Sequence, residues 1–398
     1  MNRVRVFLPI VGIVAIVLGL TSNAMAQYTR GPDLEVTAKK LVNQCAGITR
    51  GELVLITGQP RDVTLLENIA VNVRKLGAFP LISVESEGLN RRIFDEVPSR
   101  FDSQTNEFYL KLAGFISAHI SVDATENESL YANVPPERLA AVSKAFRPIM
   151  NTMLRENVKQ VSLGNGLYPT ASTARLYGMT LKQLETLFWD GVNADYTKLQ
   201  RTGQTVRSVL AAGREARITN PNGTDLKFKI EGRQVFVSDG VISSDDIAVG
   251  GTASQVWLPA GEVYMSPVPG TADGTVVVDR HFFQGAEITG LTLTFRAGKL
   301  TNMTAKSGLK PLKALYDASG PGKESFAFID IGINDRVKLP VGSKLLAWMP
   351  AGMITIGTGN DVWAGGTNDS PFGITGFLPG STLTVDGKTL VQSGALKL

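Results

Sequence analysis

The sequence predicts an α/β N-terminal domain with a mainly parallel sheet, followed by an α+β C-terminal domain rich in antiparallel strands. Two observations carry this reading. Through residues 27–200, short apolar runs alternate with segments whose apolar residues recur at helical spacing. Across residues 201–398, β-branched runs follow one another, punctuated at short intervals by Gly, Asn and Asp. A third observation bounds the answer. The chain has 398 residues, 43% hydrophobic and 19% charged, which suffices for two or three domains with sizeable cores.

Residues 1–26 read as a signal peptide. Arg3 and Arg5 form a positive start, residues 7–20 are continuously apolar, and Ala24-Met25-Ala26 is a small-residue cleavage site. That apolar stretch is short of the roughly 20 residues a membrane span needs. The expectation is cleavage before Gln27 and export to the periplasm or medium, with an uncleaved anchor as the alternative. No membrane contact is expected after cleavage.

Within 27–200, residues 34–48 carry Leu34, Ala38, Leu41, Val42 and Cys45 at helical spacing, and the apolar run 53–56 follows as a strand. Residues 63–76 repeat the helix and 79–84 the strand. Runs at 115–122 and 160–163 are further strands, with a helix over 136–156 opened by Pro136. Strands alternating with helices imply right-handed crossovers and a parallel sheet. Residues 177–213 read as a pair of connector helices. Beyond them, runs at 216–218, 226–230, 235–237, 275–278 and 288–295 alternate with turns such as Asn222-Gly223, Asp239-Gly240, Ala297-Gly298 and Asp386-Gly387. One helix, over 310–316, interrupts them.

Several function classes fall away on composition. The formal charge of +4 over 398 residues offers no field for nucleic acid or an anionic surface. A single cysteine, Cys45, allows no intrachain disulfide. No G-x-G-x-x-G occurs, and Gly164-Asn-Gly166 is too short to cradle phosphates. No G-x-S-x-G elbow supports a serine nucleophile. His119 and His281 are the whole histidine complement. His119 reads first as a strand-edge core residue, and His281 as a weak site candidate beside Asp279.

The run Leu258-Pro-Ala-Gly-Glu-Val263 stands among other ordered motifs: Tyr168-Pro-Thr170 with Tyr177-Gly-Met179, Pro221-Asn-Gly-Thr-Asp-Leu226, Gly290-Leu-Thr-Leu-Thr-Phe295, and Val385-Asp-Gly387. Together they resemble the thermophilic metallo-aminopeptidases of aminopeptidase T type. The resemblance implies a C-terminal domain holding a two-metal peptidase site, commonly enclosed in a homodimer. It also implies a ligand set of two glutamates, a histidine, a tyrosine, a second histidine and an aspartate. Glu262 and Glu324 match the glutamates. Met353, Asn360, Gly373 and Thr375 stand at the other four positions.

Two divalent ions about 3.5–4 Å apart need several anionic ligands to offset their repulsion. Glu262 and Glu324 alone do not supply them. Asp361 and Asp369, beside the vacated positions, are the candidate oxygen substitutes for a rebuilt site. Such a site would hold zinc, cobalt or a harder ion, although zinc favours nitrogen and sulfur donors. Two readings stay open. The first is an exported binding or structural protein with a degraded site, holding a peptide or small ligand in the old cleft. The second is an active metal-dependent aminopeptidase using the rebuilt site. Trp348 and Trp363 flank the emptied frame and are expected either in the core or on the walls of a retained pocket.

Overall fold

Helical spacing after residue 33 gives the α-helix Leu34–Lys39, continued by a π-helical turn, Lys40–Cys45, which buries Leu41, Val42 and Cys45. The computed structural model describes residues 33–398, so the expected signal peptide, 1–26, lies outside the described residues. From there the α/β alternation is observed. Strands Leu53–Gly58, Phe79–Val84, Ala118–Val122 and Lys159–Leu163 pair in parallel, with Leu53–Gly58 between the second and third. The helix Val63–Lys75 buries Leu65, Leu66, Ile69 and Val73 on one stripe, the pattern of a crossover helix packed on a sheet.

The sheet has a fifth strand that the sequence reading does not place there. Gln255–Leu258 adds in parallel to Lys159–Leu163, pairing Leu163 with Leu258. The chain thus returns to the first sheet from deep within 201–398. Residues Leu34–Leu398 accordingly cluster as one compact unit.

The remaining strands are antiparallel, as the turn spacing predicts. One sheet has eight strands, running from Lys299–Thr304 at one edge to Ala395–Leu396 at the other. The other has five, in the spatial order Thr375–Phe377, Ile354–Thr358, Phe326–Gly332, Glu262–Met265 and Phe236–Ser238. Phe326–Gly332 is buried along its whole length because both of its faces are covered. Phe228 and Phe295 of the larger sheet lie 5.2 and 5.3 Å from the Phe326 ring, centroid to centroid. Among the described residues, no helix is long and apolar enough to cross a membrane.

Candidate functional site

Two neighbouring parallel strands end together, at Leu163 and Leu258. Loops at the carboxyl ends of a parallel sheet are where such folds place ligands. Here Gly164-Asn165-Gly166 leaves one strand and Pro259-Ala260-Gly261 the other, the latter after a cis Leu258–Pro259 bond. Asn165 takes the left-handed conformation at φ 47°. Its Nδ2 donates to Pro259 O at 3.1 Å and to Glu262 Oε1 at 2.6 Å.

The glycine before Glu262 has a physical reason. Gly261 has φ +126°, and a Cβ there would lie 2.7 Å from Asn334 Cβ and 2.9 Å from Asn334 N. Asn334 is itself held, its Nδ2 donating to Ala260 O at 2.6 Å and Gly191 O at 3.2 Å. Asn334 and Gly261 therefore fix the angle at which Glu262 enters its strand.

Alternation along the five-stranded sheet sorts side chains to two faces. Val263, Met265, Ile329, Ile331, Ile354 and Ile356 join the main core. The opposite face carries Glu262, Tyr264, Phe328, Asp330 and Thr355. Asp330 is paired across the ladder with Tyr264 on one side and Thr355 on the other, and Gly332 stands opposite Glu262. Glu262 is 2% exposed and Asp330 fully buried. Neither Asp330 oxygen nor Thr355 Oγ1 has a hydrogen-bond partner among the described residues. Burial pushes the Glu262 carboxyl up to about 8, opposed by the Asn165 hydrogen bond. Asp330 is pushed well above its ordinary value, first by burial and then by the charge of Glu262. Two buried carboxyls at diagonal positions on one sheet face resist ionisation together.

Glu262 opens onto a cavity of about 320 Å³. The helix Pro136–Arg155 contributes Arg147, Met150 and Leu154, the strand Gln255–Leu258 contributes Gln255 and Trp257, the short 3-10 turn Val362–Ala364 contributes Trp363, and loops bring Asn165, Trp348 and Asn360. The aromatic wall is continuous. The Trp363 ring lies 5.6 Å from Trp257, 5.3 Å from Tyr264, 4.8 Å from Phe328 and 6.4 Å from Trp348. Three of the chain's four tryptophans line this one cavity.

Of the residues expected at a site, Glu262, Asn360, Trp348 and Trp363 line this cavity. Glu324 does not. It lies before the strand Phe326–Gly332, where its own backbone N–H, helped by Lys299 Nζ at 3.4 Å, holds its carboxyl below the ordinary range. Asp361 is committed to its own loop, accepting from Ser266 Oγ at 2.9 Å and Asn368 N at 2.7 Å. Asp369 accepts from Arg147 Nε at 2.6 Å and Asn151 Nδ2 at 2.7 Å, clasping the C-terminal loop to the helix Pro136–Arg155. Met353 lines a separate depression with Asp335, Val337 and Pro350. Thr375 begins an edge strand. At Gly373 a Cβ would lie 2.3 Å from Thr358 O, so that backbone has no room for any side chain.

The histidines lie elsewhere. His119 shares a 2.8 Å hydrogen bond with Thr57 inside the parallel sheet, and burial lowers its pKa to about 4. His281 lies in the strand Asp273–Phe283 and is likewise lowered to about 4 by burial. Asn165, Trp257, Asp330 and Arg147 are the residues that sequence reasoning misses.

Over residues 31–320 the chain matches the family described as thermophilic metalloprotease (M29). It belongs to that family. A curated relative, aminopeptidase PepS of Streptococcus thermophilus, is 25% identical over 309 residues, covering 71% of this chain and 72% of the relative. The fold is that of wild-type AmpT from Thermus thermophilus, with a TM-score of 0.71 at 16% identity over 92% of this chain and 99% of the other. A more distant likeness is 2,5-dihydroxypyridine dioxygenase from Pseudomonas putida KT2440, with a TM-score of 0.58 at 12% identity over 92% and 96%. The M29 match stops at residue 320, so of the six ligand positions only Glu262 falls within it.

M29 proteins are metal-dependent peptidases, which sets a test for these residues. Among the described residues, no three His, Cys, Asp or Glu side chains are grouped to hold a metal ion. Glu262 and Asp330 share one sheet face with the aromatic residues Tyr264 and Phe328, Asp361 and Asp369 are engaged elsewhere, and position 373 admits no ligand side chain. The residues present do not fit a two-metal centre.

Proposed function

We propose that this chain is an exported M29 protein whose peptidase centre is not assembled, and that it works as a binding protein. Its ligand, a peptide or other small molecule, occupies the cavity between the helix Pro136–Arg155 and the five-stranded sheet. One observation carries the reading. The cavity keeps its walls and its buried Glu262, while the partners a metal centre needs are missing or turned to structural tasks. Export rests on the N-terminal pattern, and N-terminal sequencing of exported protein is expected to begin at Gln27. The homodimer implied by the resemblance belongs to the same proposal.

Activity separates this from the alternative of a peptidase rebuilt on Glu262, Glu324, Asp361 and Asp369. Purified protein is assayed on a panel of aminoacyl-amide and dipeptide substrates, with zinc, cobalt or manganese added and with a chelator. The expected result is background release of N-terminal residues under every condition. Metal-stimulated, chelator-sensitive turnover abolished by Glu262→Gln would establish the alternative.

A further inference from the structure

The parallel sheet ends on an edge strand whose backbone and side chains are open to pairing. We infer that Phe79–Val84 joins the same strand of a second copy of this chain, antiparallel about a two-fold axis, so that two five-stranded sheets continue as one. This interface lies on the parallel sheet, apart from the Glu262 cavity. It is separate from the enclosing homodimer that the family resemblance implies.

The direction of the hydrogen bonds defines the open side. Phe79 N–H donates to Glu52 O at 2.8 Å, and Glu85 N–H donates to Gly58 O at 2.9 Å. Backbone groups point to alternate sides along a strand, so odd-numbered residues face Leu53–Gly58 while Pro80, Ile82 and Val84 face outward. Phe79–Val84 is the terminal strand of its sheet, and among the described residues no strand pairs with its outer side.

Edge strands ordinarily discourage pairing through charge, a bulge or short length. This one is six residues long, in unbroken register with Leu53–Gly58, and none of its side chains is charged. Phe79, Leu81, Ile82 and Val84 are 53%, 48%, 36% and 47% exposed. Pro80 is its one blunting residue, and self-pairing accommodates it. With Ile82 opposite Ile82 of the second copy, those two residues exchange both of their hydrogen bonds. Val84 N–H of each copy then meets Pro80 O of the other. Neither outward N–H of the strand is left over.

Charge supports the same direction. At the start of the strand Arg74 donates to Ala78 O, and its guanidinium lies 5.2 Å from the centre of the Phe79 ring. Glu85 follows the end of the strand. In the register above, Glu85 of one copy stands opposite Phe79 of the other, which brings a carboxylate towards each Arg74. Opposite charges across paired strands favour that arrangement. An extended segment of another protein would satisfy the backbone donors equally well. The complementary charges at the two ends of this same strand are what select a second copy, and an isologous two-fold interface is the form such self-complementarity takes.

Sedimentation velocity of mature full-length protein over a concentration series tests the inference. Ile82→Pro removes an outward N–H and leaves the bonds to Leu53–Gly58 in place. It is expected to halve the mass of the assembly, and to raise its dissociation constant at least about tenfold because two hydrogen bonds are lost per interface. Leu81→Lys, which sets two like charges near the two-fold axis, is expected to do the same and serves if Ile82→Pro does not fold. Arg74→Glu and Glu85→Arg are each expected to weaken association, and the double variant to restore it. Thermal melts check that the variants fold. A wild-type monomer throughout the series, an assembly that folded Leu81→Lys leaves intact, or a double charge variant no tighter than the single ones overturns the inference. Metal-supported peptide release would sink the preceding reading and leave this one standing.

Discussion

Raising the pH from about 6.5 to about 8 is expected to lower the unfolding free energy of this protein by a few kcal/mol, and Glu262→Gln to remove a large part of that fall; below about 6.5 the buried His119 and His281, lowered to about 4, act in the opposite sense. In the unfolded chain Glu262 ionises near its ordinary value of 4.5, whereas in the folded chain burial holds the proton up to about 8. Between those limits the folded state binds more protons than the unfolded one, so stability declines as pH rises. Each such carboxyl contributes up to ~1.4 kcal/mol per pH unit across its window. Asp330 is raised as well and adds to the slope. Asp330→Val is therefore expected to stabilise the protein at about pH 8, because it also removes a buried side chain whose two oxygens lack partners. Urea unfolding at a series of pH values measures all three proteins. A wild-type profile flat or rising between about pH 6.5 and 8, or one that Glu262→Gln leaves unchanged, would contradict the buried-pair account.

Gly261→Ala is expected to cost about 3–5 kcal/mol. Part is backbone strain at φ +126°, and part is the collision with Asn334 at 2.7–2.9 Å. Asn334 cannot move away freely, since it caps Ala260 and Gly191 from a fully buried position. Gly387→Ala is the comparison. It has φ +80° with no atom within 4 Å of the added Cβ, so it carries strain alone, about 1–2 kcal/mol. Denaturant midpoints of the two variants are expected to differ accordingly. Equal losses would mean that Asn334 does not hold the Glu262 turn.

The fold was largely legible in the sequence, because alternation of strand and helix before residue 200 and dense turn signals after it reflect simple periodicities. The strand Gln255–Leu258 was not. It is only four residues long, and its partner Lys159–Leu163 lies almost a hundred residues earlier, so nothing local marks the pairing. The site was legible in part. Glu262, Trp348 and Trp363 were found, because a motif and a vacated ligand frame pointed to them. Asn165 was passed over because Gly-Asn-Gly was weighed as a phosphate loop, whereas its use is a left-handed turn that aims one amide at Glu262. Asp330 had a visible signal, a lone carboxylate inside the apolar run Phe326–Gly332. Reading it required knowing that this strand lies beside Glu262–Met265. Glu324, two residues before the same strand, was the nearer glutamate in sequence, but it is exposed to Lys299 and off the cavity.

Cobalt(II) titration of metal-free protein tests most directly whether the cavity around Glu262 still assembles a metal centre. Visible absorption and metal retained after gel filtration are read together. The prediction is weak, non-stoichiometric uptake, with a spectrum that Glu262→Gln leaves unchanged. Tight retention of a pair of ions per chain, with a ligand-field spectrum altered by Glu262→Gln, would contradict it.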